Sequence, residues 1–102
     1  MADKETNKHY ITLYISGEGA NSMIAVDNLE TICRRQLGSE DAFELVNINQ
    51  SPDRASADNV MYTPLLVIRK GEQEKRFLGN LNNDAEVIRA VSSLRYLYSP
   101  NS

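Results

Sequence analysis

Met61-Tyr62-Thr63-Pro64-Leu65-Leu66-Val67-Ile68 is the stretch whose reading decides the fold of this chain. A Thr-Pro pair opens a run of apolar and β-branched residues, the composition of a buried strand. The run reads as a strand from Tyr62 to Arg69, interrupted at its start by Pro64, because proline has no N–H to give to a sheet. Upstream lies the loop Ser16-Gly17-Glu18-Gly19-Ala20-Asn21-Ser22, which contains no cysteine.

Working outward, Tyr10 to Ile15 reads as a strand with Ile11, Leu13 and Ile15 on one face and Tyr10, Thr12 and Tyr14 on the other. Large residues on both faces predict a central strand. Gly17 and Gly19 break it, and Asn21 or Ser22 is expected to cap the helix that follows. Val26, Leu29, Ile32, Cys33 and Leu37 give that helix its apolar face, and Gly38 stops it after Arg34 and Arg35. Phe43 to Ile48 is a second strand, parallel to the first in a right-handed βαβ unit. Ser51-Pro52 starts a short helix to about Asn59 with little apolar content. After the third strand, Lys70-Gly71 begins a tight turn and Lys75 to Leu78 returns as a charged edge strand. Asn82 or Asn83 is the expected cap of a last helix carrying Val87, Ile88, Val91, Leu94 and Tyr98, which Ser99-Pro100 ends.

The order βαβαββα is that of the thioredoxin-like fold, an α/β class. In that fold a Thr-Pro of this kind supplies a cis-proline, which normally faces a Cys-x-x-Cys pair on the loop after the first strand. Loop 16–22 has no thiol, so the resemblance implies the scaffold without its redox chemistry, and binding rather than catalysis. The expected organisation is a flexible segment 1–9, one domain 10–98 and a tail 99–102.

Composition narrows the function further. With 102 residues the chain suits a single core. A net charge of −3 argues against nucleic acid as the main partner. No apolar run approaches the ~20 residues of a membrane span, and the polar start lacks the apolar segment of a signal peptide. One cysteine and one histidine make neither an internal disulfide nor a metal cluster. A cytoplasmic protein without cofactors is the expectation.

Four features invite a chemical reading. Cys33 lies late in its helix on the apolar stripe, where the helix dipole disfavours a thiolate, and reads as a buried structural residue. His9 has no local partner to orient it as a base. Gly17-Glu18-Gly19 fails both common phosphate-binding patterns, since position 22 is serine. Its free amides at Asn21 and Ser22 are instead candidates for holding a partner's acidic group. Lys75-Arg76 beside Phe77 suits an acidic protein surface, with edge-strand protection as the plain alternative.

Taken together, Leu13-Tyr14-Ile15-Ser16-Gly17, Asn21-Ser22, Val46-Asn47-Ile48 before Ser51-Pro52, Thr63-Pro64 and Phe77-Leu78-Gly79-Asn80-Leu81 resemble the KaiB family. They are also similar to the KaiB-like sensor domain of the clock histidine kinase SasA. The resemblance implies a non-enzymatic timing protein that binds the hexameric ATPase KaiC, with a KaiA-like protein or a histidine kinase as further partners. It implies Asn21, Ser22, Lys75 and Arg76 as partner-binding residues. It also implies fold switching about Pro64, Gly71, Gly79 and Asn80, between a thioredoxin-like form and a resting homo-oligomer, a tetramer or dimer, with a rearranged C-terminal half. Three positions depart from the family. Ile24 replaces an arginine, Arg69-Lys70-Gly71-Glu72-Gln73-Glu74 replaces a proline-rich segment, and Asn80 replaces an aspartate. Two rival readings keep the fold: an adaptor in a sensor-kinase or stress pathway, and a glutathione-using enzyme recruiting Ser22.

Overall fold

The computed structural model describes residues 10–82 and 84–98, so His9 and Asn83 lie outside the described residues. Its elements run β1 (Ile11–Ile15), α1 (Ala20–Leu37), β2 (Glu44–Asn47), α2 (Pro52–Ala57), β3 (Leu65–Lys70), β4 (Gln73–Leu78) and α3 (Ala85–Ser92), then a 3-10 turn at Arg95–Leu97. The sheet order is β2-β1-β3-β4. β1 pairs parallel with β2 and antiparallel with β3, and β3 pairs antiparallel with β4. All five residues of β1 are buried, as large side chains on both faces require. The βαβαββα order is the expected one. β4 pairs with β3 throughout, so this is the thioredoxin-like arrangement and not the rearranged alternative.

Each face of the sheet has its own core. On one, Ile11, Leu13, Ile15, Leu66 and Ile68 pack with Ala25, Leu29, Ile32 and Cys33 of α1 and with Val87, Ala90 and Val91 of α3. On the other, Tyr14, Val46, Leu65 and Val67 form a smaller cluster with Ile48 and Val60. α2 belongs to this second face and buries none of its own residues. Polar contacts hold it instead. Arg54 makes a two-pronged bond to Glu44 at 2.6 and 2.8 Å, and Asp58, at the end of α2, accepts hydrogen bonds from Tyr14 and Arg69.

Several boundaries differ from the sequence reading. β3 begins at Leu65, because Pro64 offers no N–H for pairing, and Met61 and Tyr62 stand exposed before it. The Thr63–Pro64 bond is cis, as expected. α1 starts at Ala20 with Gly19 as its cap, and no side chain caps it. The Gly19 carbonyl accepts from Met23 N at 3.0 Å, which brings Asn21 and Ser22 inside the first turn. Asp84, not Asn82, caps α3. Its carboxylate accepts from Glu86 N at 3.0 Å and Val87 N at 3.2 Å, adding charge to the dipole's positive end. Gly38 ends α1 in the left-handed region at φ 82°, donating to Arg34 O.

Leu81 adopts φ 65° and yet is only 3% exposed. The β4–α3 loop accepts a left-handed leucine in order to bury its side chain. Glycine is therefore expected to outrank alanine here, reversing the usual order. Urea denaturation should place Leu81→Gly roughly 1 kcal/mol above Leu81→Ala, both below the native protein. A more stable alanine variant contradicts this account of the loop.

Candidate docking surface

The antiparallel register Tyr14↔Leu65 brings the loop after β1 to the same end of the sheet as Pro64. A thioredoxin-like redox pair belongs on this loop, and the loop carries no thiol. The thiol of Cys33 lies elsewhere, within α1. It is fully buried, and burial pushes its pKa up to about 12, so the nucleophilic thiolate is scarce at neutral pH. Ser22 is only 5% exposed, whereas Asn21 is exposed. Of the two residues near this loop among the four read as partner-binding, Asn21 is the one whose side chain is exposed. Asn47 braces the loop, its side-chain oxygen accepting from Gly17 N at 3.3 Å and Asn49 N at 3.0 Å.

Lys75 and Arg76 lie on β4 at the open edge of the sheet. They do not form one patch. Side chains alternate along a strand, so Lys75 and Phe77 face α3 while Arg76 and Leu78 face the opposite side. Arg76 is engaged with Glu74 at 2.7 Å, and Glu74 also accepts from Arg69 at 3.2 Å. Among the described residues no carboxylate lies within ion-pair distance of Lys75.

A groove flanks β4 on each side. Toward α3, a cleft of about 360 Å³ has Ile68, Phe77 and Ala90 as its floor and Lys70, Lys75 and Arg89 on its walls, against one carboxylate, Glu86. On the opposite side, Met61, Tyr62, Leu65 and Leu78 make a shallow apolar groove beside Arg76. Met61, Tyr62 and Leu78 are among the most exposed large apolar side chains in the described chain. The sequence reading missed Lys70, Arg89 and this apolar cluster. Alternation along β4 signals the Leu78 side, but the sequence places Tyr62 at the start of a strand and says nothing of Met61 beyond its place before that strand.

The network under α2 was also missed. Burial opposes the Asp58 charge, but hydrogen bonds from Tyr14 and Arg69 and the charges of Arg69 and Arg76 outweigh it and hold the carboxyl below its usual range. Burial first, and then the Asp58 contact, pushes the Tyr14 phenol up to about 12. These shifts belong to a structural tie, since Tyr14 is fully buried and no substrate reaches it.

The remaining residues named from the sequence lie at turns. Gly71 turns the β3–β4 hairpin at φ 62°, and Gly79 leaves β4 at φ 111°. The Asn80 carbonyl accepts from Asn28 of α1 at 2.8 Å. Among the described residues no group of three His, Cys, Asp or Glu is placed to hold a metal, and no helix is long and apolar enough to cross a membrane.

Comparison with known proteins agrees with this architecture. Residues 12–92 match the KaiB domain. The circadian clock protein KaiB3 of Synechocystis sp. is 29% identical over 84 residues, covering 82% of each chain. Mitochondrial thioredoxin 3 of Saccharomyces cerevisiae superposes with a TM-score of 0.68 at 16% identity, over 89% of this chain and 85% of that one. The N-terminal domain of Synechococcus elongatus SasA superposes with a TM-score of 0.59 at 11% identity, over 88% and 84%. The two structural likenesses speak to the fold alone. Because the domain match runs from β1 to the end of α3 and spans most of the chain, the chain belongs to the KaiB family of clock proteins.

Proposed function

We propose that this chain is a non-enzymatic, KaiB-type timing protein that docks on a KaiC-type ATPase and regulates it. The observation that carries this reading is the KaiB domain match along 12–92, which includes both Lys75 and Arg76. The thiol-free loop beside Pro64 and the buried Cys33 support a binding role over a redox one. Burial of Ser22 likewise weighs against a glutathione-using enzyme, which needs an accessible group at the start of α1. In this reading Asn21, Lys75 and Arg76 contact the ATPase. A KaiA-like protein or a histidine kinase is the further partner.

The proposal includes the fold switch. The C-terminal half of the chain would rearrange about Pro64, Gly71, Gly79 and Asn80, and α2 is its weakly anchored part, since it buries no side chain. Two packings of one sequence coexist only when they differ by a few kcal/mol.

Size-exclusion chromatography with light scattering tests both parts. Alone, the protein is expected to gain mass with concentration, toward a tetramer. Mixed with a KaiC-type ATPase and ATP, it is expected to elute with the ring. A fixed monomer mass contradicts the switch, and separate elution contradicts the docking.

A further inference from the structure

We propose that the open edge of β4 is a strand-addition site for an extended segment of a partner protein, acidic along one side-chain row and apolar along the other. This goes beyond docking on an ATPase, since any partner offering such a segment qualifies. Three observations carry it.

The first is the free edge itself. Gly79 N donates to Pro64 O at 2.9 Å, and in antiparallel pairing the bonded residues alternate. With the observed register, the backbone groups of Gln73, Lys75 and Phe77 therefore point to β3. Those of Glu74, Arg76 and Leu78 point away from the sheet. Among the described residues nothing pairs with that edge.

The second is the groove on each side of it. A strand laid along β4 sends alternate side chains to opposite faces. One row would enter the cleft of Lys70, Lys75 and Arg89, and the other would cover Met61, Tyr62 and Leu78.

The third is charge. The three cations of the cleft have no carboxylate within ion-pair distance among the described residues, and only Glu86 lines the cleft with them. Carboxylates on the incoming row complement that excess. On the opposite face Arg76 is already engaged with Glu74, which leaves apolar contact to dominate there. Edge protection alone accounts for Lys75 and Arg76 but not for the exposed apolar residues beside them. A second copy fits less well, because the row it would send into the cleft is Gln73, Lys75 and Phe77, which brings a further cation and no carboxylate.

The test uses amide hydrogen exchange by NMR on the full chain, with a capped synthetic peptide alternating glutamate and leucine as probe. Addition of the peptide should slow exchange at Glu74, Arg76 and Leu78 about tenfold or more and leave Lys75 and Phe77 unchanged. Lys75→Glu should weaken peptide binding about tenfold, with the sheet's other amides unaltered. The same peptide N-methylated at alternate residues, in the phase whose N–H groups face β4, should lose the protection. Shifts at Lys70, Lys75 and Arg89 without protection at Glu74, Arg76 and Leu78 would overturn the proposal, as would protection that grows with protein concentration when no peptide is present. None of these results depends on a KaiC-type partner, so failure here and failure of ATPase docking are separable.

Discussion

Reversing both charges, Lys75→Glu with Arg76→Glu, is expected to weaken association with a KaiC-type ATPase about tenfold or more, or roughly 1.4 kcal/mol. Each exposed charge contact is worth little alone. Reversal, however, turns attraction into repulsion wherever the opposing surface is acidic. The two positions should contribute unequally. Lys75 has no ion-pair partner among the described residues and has its full charge to offer, whereas Arg76 is engaged with Glu74. Lys75→Glu alone should therefore carry most of the effect on the association rate. Arg76→Glu should also cost some stability by placing a second carboxylate beside Glu74. Surface-binding kinetics at low and moderate salt check this, because such attraction is screened over about 8–10 Å. The double variant should show a flatter salt dependence. Unchanged kinetics would reduce the pair to edge protection.

The second large effect concerns stability. Asp58→Ala is expected to destabilise the protein by about 1–3 kcal/mol, because it leaves the Tyr14 hydroxyl buried without its acceptor and removes one of the two carboxylates that hold Arg69. Tyr14→Phe combined with Asp58→Ala should cost less than the sum of the two, since they share one hydrogen bond. The pH dependence follows from the directions of the shifts. The Asp58 carboxyl is lowered in the folded state, so its contribution is present above the unfolded carboxylate value near ~4 and is lost as pH falls through the folded value. The Tyr14 phenol is raised to about 12, so its contribution holds below the unfolded value near ~10 and is lost as pH rises toward 12. Urea denaturation from pH 3 to 11 should show a plateau between these limits in the native protein. The Asp58→Ala variant should lose most of the acid slope that this group supplies. An unchanged acid limb contradicts the assigned role.

The sequence made much of this legible because short-range rules fixed it. Alternating large side chains in β1, the three-and-four spacing in α1 and Gly38 each specify one local outcome. The central position of β1 followed from apolar residues on both of its faces. The cis-proline was legible only through the Thr-Pro resemblance. What escaped the reading depended on tertiary placement. Asn21 and Ser22 are as good caps as Gly19 by type, and only the course of the chain out of β1 starts the helix at Ala20. Leu81 reads as ordinary turn residue until its burial is known. The Tyr14–Asp58–Arg69 tie spans β1, α2 and β3, and no local pattern announces it. Lys75-Arg76 looked like one basic pair in a line of text, but strand alternation divides it between two faces. The hairpin register brings Lys70 beside Lys75, and Arg89 joins them only through the packing of α3.

Native mass spectrometry of this protein mixed with a KaiC-type ATPase in ATP tests the central claim most directly. The account predicts complexes in which whole copies of this chain add to the hexameric ring, depleted when Lys75→Glu, Arg76→Glu protein replaces the native one. A ring that stays bare across the accessible concentrations, with native protein folded and in excess, would contradict it.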